Sequence, residues 1–162
     1  MTDARFEDAS ERPLRLAAES VEDLAVISAL MQDAAGLARD LAWMRRKRRF
    51  ALFLTRFRWV AGARADRAGR PYERVRSVAL VEHVTGVRAA GVDPRDPDQA
   101  LSVLQLVFEP SAEPEDPSGV LRVLLAGDGE IAIEVEALEM RLEDVTRPYL
   151  APSGKAPEHP GD

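Results

Sequence analysis

Residues 120–135 read VLRVLLAGDGEIAIEV, two apolar runs separated by Ala126-Gly127-Asp128-Gly129. Val, Leu and Ile fit a pleated, half-buried surface, and Asp-Gly accepts the positive φ angles of a tight primed turn. The stretch is therefore predicted as a β-hairpin, with Ile131, Ile133 and Val135 facing inward. This two-residue period is the key to the rest of the chain.

Upstream, Ala100–Phe108 (ALSVLQLVF) has the same character. Val75–Val84 and Val87–Val92 read as one long or two short strands broken at Gly86, and PRDPDQ at 94–99 closes them off. Earlier still, Leu41 and Trp43 open a strand that a basic turn at Arg45-Arg46-Lys47 reverses. Phe50, Leu52 and Leu54 form the inner face of the return. Unbroken alternation would then carry Arg56 and Arg58 inward. Burying unpaired guanidinium groups is costly, so a one-residue bulge near Thr55 is expected, turning both arginines to water and restoring Phe57 and Trp59 to the core. Leu14, Leu16 and Ala18 suggest a short first strand.

Two segments carry helical spacing. Ser20-Val21-Glu22-Asp23 has the form of a capping box with Asp in place of Glu, and Val21, Leu24, Ile27, Leu30, Met31 and Ala34 follow at three- and four-residue steps. A helix is predicted over about 20–35. Leu138, Arg141, Leu142 and Val145 suggest a second at about 136–146, stopped by Pro148. The fold class is thus α+β: a mainly antiparallel curled sheet or half-open barrel of about seven strands, of pleckstrin-homology-like outline, with an early and a C-terminal helix. One domain over 13–150 is expected. The tails 1–12 and 151–162 are rich in Pro, Gly and charge and are predicted disordered; the Gly- and Pro-punctuated loop Ala61–Glu73 is predicted mobile.

The 162-residue chain has no cysteine, which removes disulfides, thiol catalysis and cysteine-bound metal. Its polar, acidic N-terminus and lack of an 18-residue apolar run point to a cytoplasmic protein with no membrane association. Neither GxGxxG nor GxxxxGK[ST] occurs, and no cofactor is implied. His83 is read inside a strand, on one face with Ala79 and Val81, and is too isolated for a Ser-His-Asp set; His159 falls in the C-terminal tail. Carboxylates do not converge with histidine at metal-ligand spacing. The pairs Glu134/Glu136 and Glu139/Glu143 read as solvated surface. No catalytic residue is assigned.

Charge is the feature above background. Arg39 to Arg76 holds thirteen Lys and Arg against Asp40, Asp66 and Glu73, a local +10 in a chain of net −6, so the remainder carries −16. Six of the nine aromatics fall in the same span. The candidate partner-binding residues are Arg45, Arg46, Lys47, Arg48, Arg49, Arg56 and Arg58. Three readings compete: a basic surface neutralised by acids of the same chain, a binding or adaptor surface over 39–76 for an acidic protein or a second copy, and a single-stranded nucleic-acid platform. An enzyme acting on a small molecule ranks last.

Glu22-Asp23-Leu24-Ala25-Val26-Ile27-Ser28-Ala29, Gln32-Asp33-Ala34, Arg48-Arg49-Phe50-Ala51-Leu52 with Arg56-Phe57, Phe108-Glu109-Pro110 and the stretch Glu136–Asp144 recur in this order. Together they resemble the alphaproteobacterial domain-of-unknown-function 2948 family over about residues 14–147. That resemblance implies no activity and transfers no catalytic residue.

Overall fold

A computed structural model describes residues 13–59, 72–145 and 149–150. The expected disordered tails and the loop from Ala61 to Pro71 lie outside the described residues; Tyr72 and Glu73 already belong to a strand. In chain order the elements are β1 (Arg15–Ala18), α1 (Val21–Met31), β2 (Ala35–Leu37), β3 (Leu41–Met44), β4 (Arg49–Trp59) and β5 (Tyr72–Val81). Then come β6 (Val84–Ala90), β7 (Ala100–Pro110), β8 (Gly119–Leu125), β9 (Gly129–Val135), β10 (Met140–Asp144) and β11 (Tyr149–Leu150).

The strands form one antiparallel sheet in the order β1-β10-β5-β4-β2-β7-β8-β9-β6, with β3 added to β4 and β11 to β5. β1 and β6 end the order and do not pair with each other, so the sheet of the described residues does not close. Among the described residues there are eleven strands rather than about seven, and one α-helix rather than two.

The predicted Gly127-Asp128 hairpin is present: β8 pairs β9 from Gly119↔Val135 to Leu125↔Gly129, and Gly127 and Asp128 take φ of 83° and 67°. Helix α1 begins as its cap requires, with Ser20 Oγ accepting the Asp23 N–H at 3.2 Å. It ends at Met31, short of Ala34, because Asp33 turns into the left-handed region at φ 69° and its N–H donates to the Val103 carbonyl. Leu24, Ile27 and Met31 bury one face of α1 in a single core shared with Leu52, Leu121, Ile133 and Leu142.

Three expectations fail. First, residues 136–146 are no helix: Met140–Asp144 is a strand clamped between β1 and β5. Leu138, Met140 and Leu142 satisfy period two as well as they satisfy helical spacing, and all three are buried. Second, the β5–β6 break falls at Glu82-His83 and not at Gly86. His83 sits outside the strands at φ 58°, while Gly86 marks a register shift against β9. A Cβ on Gly86 would come within 2.6 Å of the Glu134 carboxylate.

Third, no bulge interrupts β4. Its ladder with β5 runs from Phe50↔Val81 to Trp59↔Tyr72 without a shift. Alternation therefore holds, placing Arg56 inside and half-buried Phe57 on the outer face, where the Arg74 guanidinium lies 5.7 Å from its ring centroid. The side chain of Trp59 lies outside the described residues.

If 140–144 is a core strand, Leu142→Ala should cost about 2–5 kcal/mol of unfolding free energy, as for a fully buried leucine, and the neighbouring Glu143→Ala less than about 1 kcal/mol. Urea titrations of both variants check this. Equal, small effects would return the segment to a surface helix.

Candidate functional site

The basic stretch divides by geometry into neutralised and unpaired cations. Arg45, Arg46 and Lys47 form a single exposed 3-10 turn between β3 and β4. Arg45 rests its guanidinium 6.0 Å from the centroid of the Trp43 ring. None of the three makes an ion pair among the described residues.

Arg48 locks this turn. It takes φ 56°, donates its N–H to the Arg45 carbonyl at 3.2 Å, and accepts the Val84 N–H at 2.8 Å. Its side chain meets Glu136 at 2.7 Å. Arg49 donates to Glu82 at 2.9 Å, and the other oxygen of Glu82 accepts from Arg141 at 3.0 Å, so one carboxylate bridges two guanidinium groups.

Arg56 does not face water, as expected from the sequence, but is 2% exposed. Its Nη2 donates to Asp144 Oδ1 at 2.8 Å and its Nε to Ser77 Oγ at 3.0 Å; the Ser77 hydroxyl donates to the same Oδ1 at 2.7 Å. The remaining oxygen, Oδ2, accepts the Leu14 N–H at 2.7 Å. The side chain of Arg58 lies outside the described residues. Of the seven candidates, then, the structure gathers Arg45, Arg46 and Lys47 at one exposed tip and commits Arg48, Arg49 and Arg56 to acids of the same chain.

The alternation that placed Arg56 inward was itself a sufficient signal. What sequence could not supply was the partner, 88 residues away. Glu82, Glu136 and Asp144 were missed for the same reason.

His83 bonds Glu139 at 2.8 Å on an exposed turn. Glu134 pairs with Arg88 at 3.4 Å and Glu143 with Arg15 at 3.9 Å, the geometry of solvated surface pairs. Asp116, in the acidic loop after β7, is held below the usual carboxylate range by the backbone N–H and then the hydroxyl of Ser118. Its folded pKa lies below its unfolded one, so this contribution is present at neutral pH and is lost as pH falls through the lowered value. Glu109 and then Glu130 raise the pKa of Arg122, which bridges them at 3.0 and 2.7 Å. Among the described residues no three His, Asp or Glu are grouped to hold a metal ion, and no helix is long and apolar enough to cross a membrane.

Removing one member of a buried, hydrogen-bonded ion pair strands the other charge. Arg56→Ala or Asp144→Ala should therefore cost about 3–5 kcal/mol, whereas the double change Arg56→Met with Asp144→Leu recovers most of that loss. Arg46→Ala should stay within about 0.5 kcal/mol of the parent. Urea unfolding of the four proteins measures this.

Comparison with curated proteins and with solved structures finds no match. A family model does match, described as "Protein of unknown function (DUF2948)", over residues 14–159. This match takes in every described element from β1 to β11, and the chain belongs to that family.

Proposed function

We propose that the protein is a non-enzymatic binding module that docks an acidic surface of a partner protein on the turn Arg45-Arg46-Lys47. The observation that carries this reading is the contrast along five consecutive cations. Arg48 and Arg49 are answered by Glu136 and Glu82, while Arg45, Arg46 and Lys47 project from a backbone fixed by Arg48 and meet no acid among the described residues. A fixed cluster of unanswered cations contributes association rate and salt-sensitive affinity, while its exposure costs the fold little.

A second reading rests on a different face. Phe53, 41% exposed, and Phe57 share the outer surface of β4 and β5 with Arg74 and Arg76. Rings and guanidinium groups on an open sheet face suit stacking of unpaired bases. Phe50 is buried and takes no part in such a platform.

Affinity purification from an extract at low salt, comparing the parent with an Arg45→Glu, Arg46→Glu, Lys47→Glu variant, separates the readings. The first expects co-purifying acidic proteins whose retention falls at least about tenfold in the variant and on raising salt. The second expects a gel shift with a single-stranded oligonucleotide that Phe53→Ala abolishes and the triple variant leaves in place. An unchanged set of partners in the triple variant overturns the first reading.

A further inference from the structure

The strand β7 has one edge that no strand completes. It pairs with β8 over Val103–Pro110, but with β2 only over Ala100–Ser102. Beyond Val103, whose N–H and carbonyl bond Ala34 and Asp33, the edge turns toward α1, where the Leu106 N–H donates to Ser28 Oγ at 2.9 Å. That bond shows which way the edge faces. In an antiparallel ladder, residues two apart direct their N–H and C=O groups to the same side. Phe108 therefore presents both groups on this edge, and among the described residues neither takes a hydrogen bond there. Pro110 adds a carbonyl on the same side and has no N–H to leave unsatisfied.

Beside this edge runs a trough of mixed lining, in which Ser28, Gln32 and Gln105 stand among apolar side chains. One part, of about 490 Å³, lies between α1 and β7 over Val21, Ala25, Ala29, Leu104 and Phe108. A second part, of about 440 Å³, continues past Val21 and Phe108 to Pro117, Leu138, Glu19 and Glu139. Val21 and Phe108 line both, so the two parts adjoin at these side chains. Val21 and Leu104 are 57% and 47% exposed, unusual for aliphatic side chains with no partner across from them. The Phe108 ring is held in place by the close approach of Gly119, where a Cβ would come within 2.6 Å of it.

The rim of the trough is predominantly acidic, with Glu139 bonded to His83 and Glu109 paired with Arg122. Glu19 and Glu139 line it, Glu22 flanks Val21 on the first turn of α1, and Glu109 follows Phe108; no Lys, Arg or His is among the lining residues. We propose that this groove binds an extended peptide segment by strand addition at Phe108, and that the segment carries alternate apolar residues flanked by Lys or Arg. The backbone pair at Phe108 sets its register, the trough takes its apolar side chains, and the acidic rim selects its charge. This surface is separate from the basic turn and selects the opposite charge.

The test uses the full chain and two fluorescent nine-residue peptides, one alternating valine with lysine and the other valine with glutamate. Fluorescence polarisation should show saturable binding of the basic peptide and none of the acidic one. Val21→Arg, at an exposed position that leaves unfolding by urea unchanged, should weaken binding at least about tenfold, and Val21→Ile should retain it. The Arg45→Glu, Arg46→Glu, Lys47→Glu variant should bind like the parent, which separates this site from the docking turn. Amide hydrogen exchange should show the Phe108 N–H slowed by the basic peptide.

Equal binding of both peptides, no binding of either, or parental affinity in Val21→Arg overturns the proposal. So does binding that leaves Phe108 exchange untouched, since the backbone would then play no part. Sedimentation that shows a dimer dissolved by Val21→Arg would assign the groove to a second copy instead.

Discussion

The closed arrangement of Arg56, Ser77 and Asp144 at one end of the curled sheet constrains the other elements most strongly. A guanidinium 2% exposed and a carboxylate side chain with no exposure cannot be left singly in a protein interior, where each ion's desolvation costs several kcal/mol. Every polar atom bonded here comes from a different part of the chain. Arg56 lies on β4, Ser77 on β5, Asp144 closes β10, and the Leu14 N–H precedes β1. The strand order β1-β10-β5-β4 is the order in which these groups can meet. Backbone bonds repeat the message: the Asp144 N–H donates to the Leu14 carbonyl and the Val145 N–H to the Arg76 carbonyl. The polar cluster thus fixes a register that aliphatic packing alone would permit to slip by two residues.

The charge segregation of the sequence follows from the same logic. A span of net +10 beside a remainder of −16 suggests a molecule with a basic side offered to partners. Folding instead brings much of the excess of one segment against that of the other. Glu82 takes Arg49 and Arg141, Glu136 takes Arg48, and Asp144 takes Arg56. These contacts differ greatly in worth. Those of Arg48 and Arg49 are partly exposed and screened, while that of Arg56 is buried and fully bonded. Among the described residues, the turn Arg45-Arg46-Lys47 keeps its cations without an ion pair, and it is much smaller than the basic segment in which it sits.

The legible parts of the fold were those whose determinants are local. Ser20 and Asp23 mark the start of α1 within one turn, and Gly127-Asp128 specifies its hairpin by backbone conformation alone. The misread parts depended on distant partners. Glu136–Val145 carries both periods, and the vacancy between β1 and β5 decides for the strand. Arg56 looked unburiable only because Asp144 could not be paired with it from sequence. His83 and Asp33 enter the left-handed region without glycine, so the breaks they cause gave no compositional warning. Among the candidate site residues, exposure of Arg45, Arg46 and Lys47 was readable from the turn, whereas the neutralisation of their neighbours was not.

An unpaired strand edge is ordinarily a hazard, because it can template pairing with any other chain. In β7 that hazard is confined from both ends. Ser28 of α1 occupies the N–H of Leu106, and Pro110 has none to offer. Between them, among the described residues, Phe108 carries an unbonded donor and acceptor pair on this side. The aliphatic side chains of Val21 and Leu104 are too far exposed to be explained by the core, while Glu19 and Glu22, which make no ion pair among the described residues, would repel most of this acidic chain's own surface. A one-residue opening in an otherwise blunted edge, bordered by apolar side chains and a predominantly acidic rim, resists indiscriminate sheet growth and still admits a short segment of the right register and charge.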